Sequence, residues 1–193
     1  MLTIYKETSV TNNRDHMWRD FEPEEIAGDD KIIDKTELVK DFLSDTCCKE
    51  ISLTTPEDLS GFLKEEIARR PGVYCIYNTK RKEVLDVGKS KNLYARIREQ
   101  LIGVKDRKDG SLKFPRLFFA VLKKEKGIKE KDYYKLPKEK RDELVRFYQN
   151  IVFKSENTLR ACSTKDHTRA IVLEQVLIQF FKKKNQCKYN YQV

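Results

Sequence analysis

Two runs of the sequence decide the fold: PGVY at residues 71–74 and DVGKSKNLYAR at residues 86–96. Each run predicts a β-strand with a glycine beside a functional side chain, and the second leads directly into a helix that carries Arg96. A backbone turn at Gly88 ahead of a helix N-terminus favours an anionic oxygen as ligand. Positive charge gathers around the same run, on Lys89, Lys91 and Arg98. The pattern predicts a surface that binds a phosphodiester.

Apolar spacing and turn residues predict the elements next to these runs. Residues 73–78 and 83–87 form a predicted β-hairpin. Leu93, Ile97 and Leu101 recur at i, i+4 and i+8, so the helix that follows the hairpin should pack on the sheet. Thr55 before Pro56 is typical of a helix start, since Thr caps the helix and Pro suits its first position.

The rest of the chain adds two strands and a helix to this prediction. The strands are expected at residues 114–122 and 157–162, and the helix at residues 138–153. Together the elements predict an α/β (α+β) fold: a small, mainly antiparallel three-stranded sheet flanked by helices, in which the third strand is one or the other of the two later strands.

The net charge of +9 is unevenly distributed along the chain. Residues 1–60 hold 7 basic and 15 acidic residues, a net charge of −8, whereas residues 61–193 hold 33 and 16, a net charge of +17. We therefore divide the chain into an acidic, partly helical N-terminal extension, residues 1–60, and a basic domain, residues 61–193. A lysine-rich surface alone would give such an excess, but its coincidence with the two runs favours nucleic acid as the partner.

Cysteine usage and hydropathy bear on the compartment. The five cysteines form no CxxC pair, which favours reduced thiols in a cytoplasmic or nuclear setting. No apolar run reaches the length of a membrane span, and no secretory signal is visible at the N-terminus. We expect no membrane partner.

The two runs resemble the GIY-YIG nuclease family. Gly72-Val73-Tyr74 matches the first triplet and Asp86-Val87-Gly88 the second, and the residues that follow are similar to those of excision-repair incision nucleases and GIY-YIG restriction endonucleases. Arg96 falls at the position of the family's helical arginine. The resemblance returns near the C-terminus, in LEQVLI at residues 173–178 and KYN at residues 188–190. It implies a GIY-YIG-like fold with an insertion within about residues 103–155.

Glu174 is the implied metal ligand. It lies in an apolar helical stripe, where a carboxylate is costly without a partner. A glutamate at the edge of the stripe could instead reach solvent or a lysine. The resemblance favours a ligand of Mg²⁺ (or Mn²⁺), a role that suits a hard oxygen donor.

The resemblance also implies roles for the other site residues. Tyr74 becomes the group that handles the proton of the attacking water, although a strand tyrosine is also a common core residue. Arg96 would stabilise charge on the phosphate in the transition state. Lys89 is either catalytic or a phosphate contact. Asn190, or Asn185 in its place, would orient groups around the metal ligand.

Asp86 departs from the family pattern, since the second triplet usually begins with tyrosine. A carboxylate there repels phosphate unless it binds metal or is neutralised. Asp86 therefore either impairs catalysis at the site or takes part in it as a base or second metal ligand.

These residues predict a Mg²⁺-dependent DNA endonuclease of the restriction or structure-specific type. Lys91 and Arg98 are the predicted DNA contacts outside the catalytic group. The nuclease core runs to the end of the chain, so we expect DNA recognition to come from the N-terminal part, the insertion or a partner, which includes a second copy in a homodimer. The alternative is a nucleic-acid-binding module that keeps the fold and has lost catalysis through Asp86.

Overall fold

A computed structural model describes residues 35–44, 48–102, 116–183, 186, 188 and 189. Four strands form one antiparallel sheet: β1 (Cys48–Ser52), β2 (Gly72–Asn78), β3 (Glu83–Ser90) and β4 (Asn157–Ser163). Their order across the sheet is β1-β4-β2-β3, so β2 and β4 are central and β3 is an edge strand. The mixed α/β class is confirmed, but the sheet has four strands rather than the predicted three.

Seven helices lie in the described part of the chain. They are α1 (Lys35–Leu43), α2 (Pro56–Glu66), α3 (Leu93–Leu101), α4 (Arg116–Lys126), α5 (Glu130–Tyr133), α6 (Lys138–Val152) and α7 (His167–Lys183). Among these described elements, no helix has both the length and the apolarity that a membrane crossing requires.

The two faces of the sheet carry separate apolar cores. Helices α2, α3, α4 and α6 bury their apolar residues on one face, together with Tyr74 and Ile76 of β2. Helices α1 and α7 cover the opposite face, where they meet Val73 and Cys75 of the same strand. Because successive side chains of a strand point to opposite faces, β2 alone contributes to both cores. Every residue of β2 is buried.

Several sequence predictions are confirmed. The hairpin is β2–β3, and the predicted stripe of α3 is buried at Leu93, Ile97 and Leu101. Thr55 caps α2, where its side chain accepts a hydrogen bond from the Asp58 N–H at 3.1 Å. The strand expected at 157–162 is β4 and the helix expected at 138–153 is α6.

The prediction of a strand over residues 114–122 is wrong, because α4 occupies Arg116–Lys126. The helix ends at Gly127, which takes a left-handed conformation (φ 69°) and donates its N–H to the Lys123 carbonyl at 3.1 Å. A glycine in that conformation is a common helix terminator. Helices α4, α5 and α6 therefore lie in the described chain between Arg116 and β4.

The N-terminal part of the chain also reaches into the sheet. Residues 1–60, predicted as an acidic extension, include α1, the whole of β1 and the start of α2. β1 pairs with β4 over its full length, with Cys48 opposite Cys162 and Ser52 opposite Thr158. Cys48, Cys75 and Cys162 are buried, whereas Cys47 and Cys187 lie outside the described residues.

Candidate functional site

Tyr74 and Gly88 are partners across the β2–β3 hairpin. The tyrosine ring lies over the glycine: a Cβ atom on residue 88 would fall 2.5 Å from the Tyr74 hydroxyl and 2.6 Å from ring carbons. Tyr74 is 1% exposed, so the ring has little room to move. The predicted backbone turn at Gly88 is wrong, since Gly88 lies within β3. Glycine is needed at residue 88 because the Tyr74 ring of the first triplet packs directly against this position of the second triplet.

The Tyr74 hydroxyl donates a hydrogen bond to Asp86 Oδ2 at 2.8 Å. Burial raises the pKa of Asp86 to about 7, and this effect outweighs the hydrogen bond from Tyr74 and the positive charge of Arg96, which lower it. Burial and the nearby Asp86 carboxylate raise the pKa of Tyr74 well above its usual range. At neutral pH the pair therefore combines a protonated phenol with a carboxyl group close to half ionised.

Glu174 lies on α7 and is 4% exposed. Its Oε1 accepts the backbone N–H of Lys89 at 3.1 Å, and its Oε2 forms an ion pair with the Lys89 ammonium. Of the alternatives for this residue, the structure brings Glu174 to a lysine rather than to solvent. Both bonds reach β3, so α7 brings its carboxylate to the edge of the sheet where Asp86 also lies.

Arg96 projects from α3 and is held by Gln100, one turn further along the helix. With the Gln100 amide oxygen turned toward Arg96, the guanidinium nitrogens donate to it at 2.6 and 2.8 Å. Gln100 is only 1% exposed, and its backbone carbonyl accepts the Tyr148 hydroxyl at 2.8 Å. Glu99 makes only a longer contact with Arg96, at 3.9 Å. The buried amide therefore fixes the position of the guanidinium.

These groups meet in one open cleft with a volume of about 40 Å³. Its polar lining comes from β2, β3, α3, α4 and α7 and from the residues after α7. The lining side chains are those of Tyr74, Asp86, Arg96, Arg116, Glu174 and Tyr189, with Val87, Gly88, Leu117 and Ala120 completing the wall. Four residues predicted for catalysis or metal binding thus share one cleft, and Lys89 contacts it through Glu174.

The carboxylates of the cleft fit a small, hard cation. Mg²⁺ typically takes one or two carboxylates and keeps several waters, and a volume of 40 Å³ has room for about two or three water molecules. Glu174 and Asp86 are close enough that the charge on Glu174 raises the pKa of Asp86. Among the described residues no group of three His, Cys, Asp or Glu side chains is placed to hold a metal. A metal bound here would depend on these two carboxylates, water and a phosphate oxygen.

The remaining predicted residues lie elsewhere. Lys91 and Arg98 are exposed and do not line the cleft. Asn190 and its alternative Asn185 lie outside the described residues. Tyr189, the residue before Asn190, does line the cleft, and its hydroxyl donates to Glu125 Oε1 at 2.6 Å.

Sequence reasoning missed Gln100 and Arg116 as members of the site. Gln100 lies beside the apolar stripe of α3, four residues after Arg96, and this spacing was a usable signal for a side-chain contact. Arg116 was missed because residues 114–122 were wrongly predicted as a strand. The helix stop at Gly127, which follows a basic last turn, was the signal that could have corrected it.

No protein-family model, curated protein or solved structure matches the chain.

Proposed function

We propose that the protein is a metal-dependent endonuclease that hydrolyses phosphodiester bonds in DNA. One observation carries the proposal: a phenol bonded to a carboxyl group, a fixed guanidinium and a second carboxylate converge on one cleft from four different elements. The resemblance of the two triplets to the GIY-YIG family supports the same chemistry. The net charge of +17 on residues 61–193 suits a polyanionic substrate.

Tyr74 and Asp86 act on the attacking water in this proposal. Because the Tyr74 hydroxyl donates to Asp86, its oxygen is left to accept a hydrogen bond from water. The raised pKa of Tyr74 disfavours a free phenolate. The phenol instead passes its proton to Asp86 as it takes one from water, while the water oxygen bonds to phosphorus and the bond to the leaving oxygen breaks. Asp86, with a pKa of about 7, is well matched to accept that proton at neutral pH.

Arg96 stabilises the negative charge that builds up on the phosphate oxygens. Its guanidinium lines the cleft and is already oriented by Gln100, so little reorganisation is needed when the charge develops. Nη1 and Nη2 each keep a second N–H beyond the bond to Gln100, and these donors remain for phosphate oxygens.

Glu174 would hold the metal, which leaves Asp86 to act as the base. Mg²⁺ bound there would act as a Lewis acid that offsets negative charge on the phosphate. Lys89 holds the Glu174 carboxylate in place at the edge of β3 through its backbone N–H and its ammonium. The same ammonium is available to a phosphate when a metal takes over the charge of Glu174.

Plasmid nicking tests this proposal. Wild-type protein should nick supercoiled DNA with Mg²⁺ and not with EDTA, and Glu174→Gln should lose nicking while it still binds DNA. Glu143→Gln makes the same chemical change at an exposed carboxylate of α6 and should nick normally. Nicking by Glu174→Gln at the wild-type rate would show that Glu174 is not the metal ligand.

A second candidate is a nucleic-acid-binding module on the same fold. The observation that favours it is the ion pair of Glu174, because the Lys89 ammonium already neutralises this carboxylate without a metal. In that case wild-type protein binds DNA in a salt-dependent manner but nicks it with neither Mg²⁺ nor Mn²⁺. The same plasmid assay, with a binding measurement beside it, separates the two functions.

A further inference from the structure

Arg116 is the first residue of α4 and lines the same cleft as the catalytic group. It belongs to the helical segment between α3 and β4 rather than to the hairpin or to α7. Tyr74 and Asp86 line that cleft too. The cleft therefore contains a second arginine that the triplets and their flanking residues do not supply.

The two arginines of the cleft are held differently. Arg96 is half-buried and fixed by the Gln100 amide, whereas Arg116 is exposed. No described carboxylate lies within ion-pair distance of Arg116, since the ion pairs among these residues involve other cations. An exposed guanidinium that lines a cleft is accessible to an incoming anion.

We propose that Arg116 binds the phosphate next to the scissile one and so sets the register of the DNA strand in the cleft. The inference rests on the proposed function, because it assigns Arg96 to the scissile phosphate. Arg96 lies beside the Tyr74–Asp86 pair and is fixed before the substrate arrives, as a group that stabilises a transition state should be. Arg116 contacts a phosphate that carries the same charge throughout the reaction.

This difference predicts separate kinetic effects for the two arginines. A contact made equally in the ground state and the transition state changes affinity and leaves turnover unaltered. Arg116→Ala should weaken DNA binding about tenfold at low salt and leave the single-turnover rate at saturating DNA unchanged. The slope of log affinity against log salt should become shallower by about 1, as for the loss of one phosphate contact.

The experiment measures the affinity for a short duplex DNA in EDTA, by fluorescence anisotropy over a range of salt concentrations. The proteins are wild type, Arg116→Ala, Arg116→Lys and Arg146→Ala. Arg146 is an exposed arginine of α6 that does not line the cleft, so its variant removes the same charge from another part of the surface. Arg116→Lys should keep the salt slope and recover part of the affinity, since it keeps the charge and loses the planar fork.

Binding by Arg116→Ala that equals binding by Arg146→Ala overturns the inference, whether or not wild type nicks DNA. A loss of turnover with unchanged affinity also overturns it and moves Arg116 to the transition state. Weaker binding by Arg116→Ala, together with a wild type that fails to nick, supports the phosphate contact and rejects the endonuclease. The anisotropy measurement contains no metal and does not depend on nicking. Failure of the inference and failure of the proposed function therefore give different results.

Discussion

Residue 88 shows how two sequence triplets depend on each other. Any side chain on Gly88 would collide with the Tyr74 ring, which is enclosed by the core on the other side. Gly88→Ala should therefore destabilise the protein by about 1–3 kcal/mol, the usual range for overpacking, and should displace the hydroxyl from Asp86. Urea denaturation measures the first effect.

Gly61 supplies the matched control for this substitution. It lies within α2, and a Cβ atom there would meet nothing within 4 Å. Gly61→Ala should stabilise the protein by about 0.5–1 kcal/mol, since alanine is the better helix former. If both variants are equally stable, the packing of Tyr74 on Gly88 is not tight.

Asp86 predicts a pH-dependent difference in stability. Its pKa is about 7 in the folded protein and about 3.9 in an unfolded chain. The folded state therefore holds a proton that the unfolded state releases between these values, and the stability contributed by protonated Asp86 is lost as the pH rises through about 7. Asp86→Asn stays neutral and can still accept from Tyr74.

The variant should therefore gain stability relative to wild type as the pH rises from about 5 to about 8. Urea denaturation without divalent ions, at both ends of this range, provides the measurement. A difference between variant and wild type that is the same at both pH values would show that Asp86 does not titrate in this window.

At the scale of elements, a buried ion pair fastens β1 and α1 to the sheet. Arg160 of β4 donates to Glu50 Oε2 at 2.6 Å and to the Phe42 carbonyl at 2.8 Å, and Glu50 also accepts the Tyr77 hydroxyl. Arg160→Met should cost about 3 kcal/mol, because it leaves the Glu50 carboxylate largely buried without its cation. Urea denaturation checks this value.

Arg169→Met is the control for that loss. Arg169 pairs with Asp166 at 3.6 Å on the surface, where an ion pair contributes about 0–1 kcal/mol. Equal losses from the two arginines would mean that the Arg160–Glu50 pair is not what holds β1 and α1.

The elements that the sequence predicted correctly are those with local signals. The hairpin, the Thr55 cap and the stripe of α3 each depend on residues within a few positions of one another. α4 was predicted wrongly because Leu117–Leu122 is an unbroken apolar run, which does not distinguish a buried strand from a buried helix. β1 was missed because it is short and carries Lys49 and Glu50. The partners that make an inward-facing glutamate favourable there, Tyr77 and Arg160, are distant in sequence.

The sequence predicted most of the residues of the site, but not the contacts that they make with residues of other elements. Tyr74, Asp86, Arg96 and Glu174 were named from the sequence and share one cleft. The bond from Tyr74 to Asp86 and the ion pair of Lys89 with Glu174 depend on strand register and on the position of α7, which a single sequence does not contain.

At the scale of the whole molecule, the acidic extension defined by charge, residues 1–60, also contains residues of the buried core. Residues 1–34 carry 4 basic and 9 acidic residues, whereas α1 immediately after them buries Val39 and Phe42 in the core. A truncation that tests the acidic part should therefore stop before residue 35. The truncated chain should bind DNA at least as tightly as the full chain, since it loses a net charge of −5.

Anisotropy with a short duplex in EDTA, at several salt concentrations, measures this effect. The thermal midpoint of the truncated chain should stay near that of the full chain, which confirms that the core is intact. A severalfold loss of affinity with an unchanged midpoint would show that residues 1–34 contribute contacts to the DNA.

The two edges of the sheet differ in their capacity for self-association. The edge of β3 is occupied: Val84 exchanges backbone hydrogen bonds with Gln186 and Lys188, both at 2.7 Å, and the Lys89 N–H is taken by Glu174. A strand from another copy cannot add there without displacing these partners. Of the described strands, only β1 offers an edge at which the sheet can grow, and it lies three strands, or about 14 Å, from β3. Aggregates that begin by sheet extension would therefore leave the cleft open, and they are best suppressed by substitutions on β1.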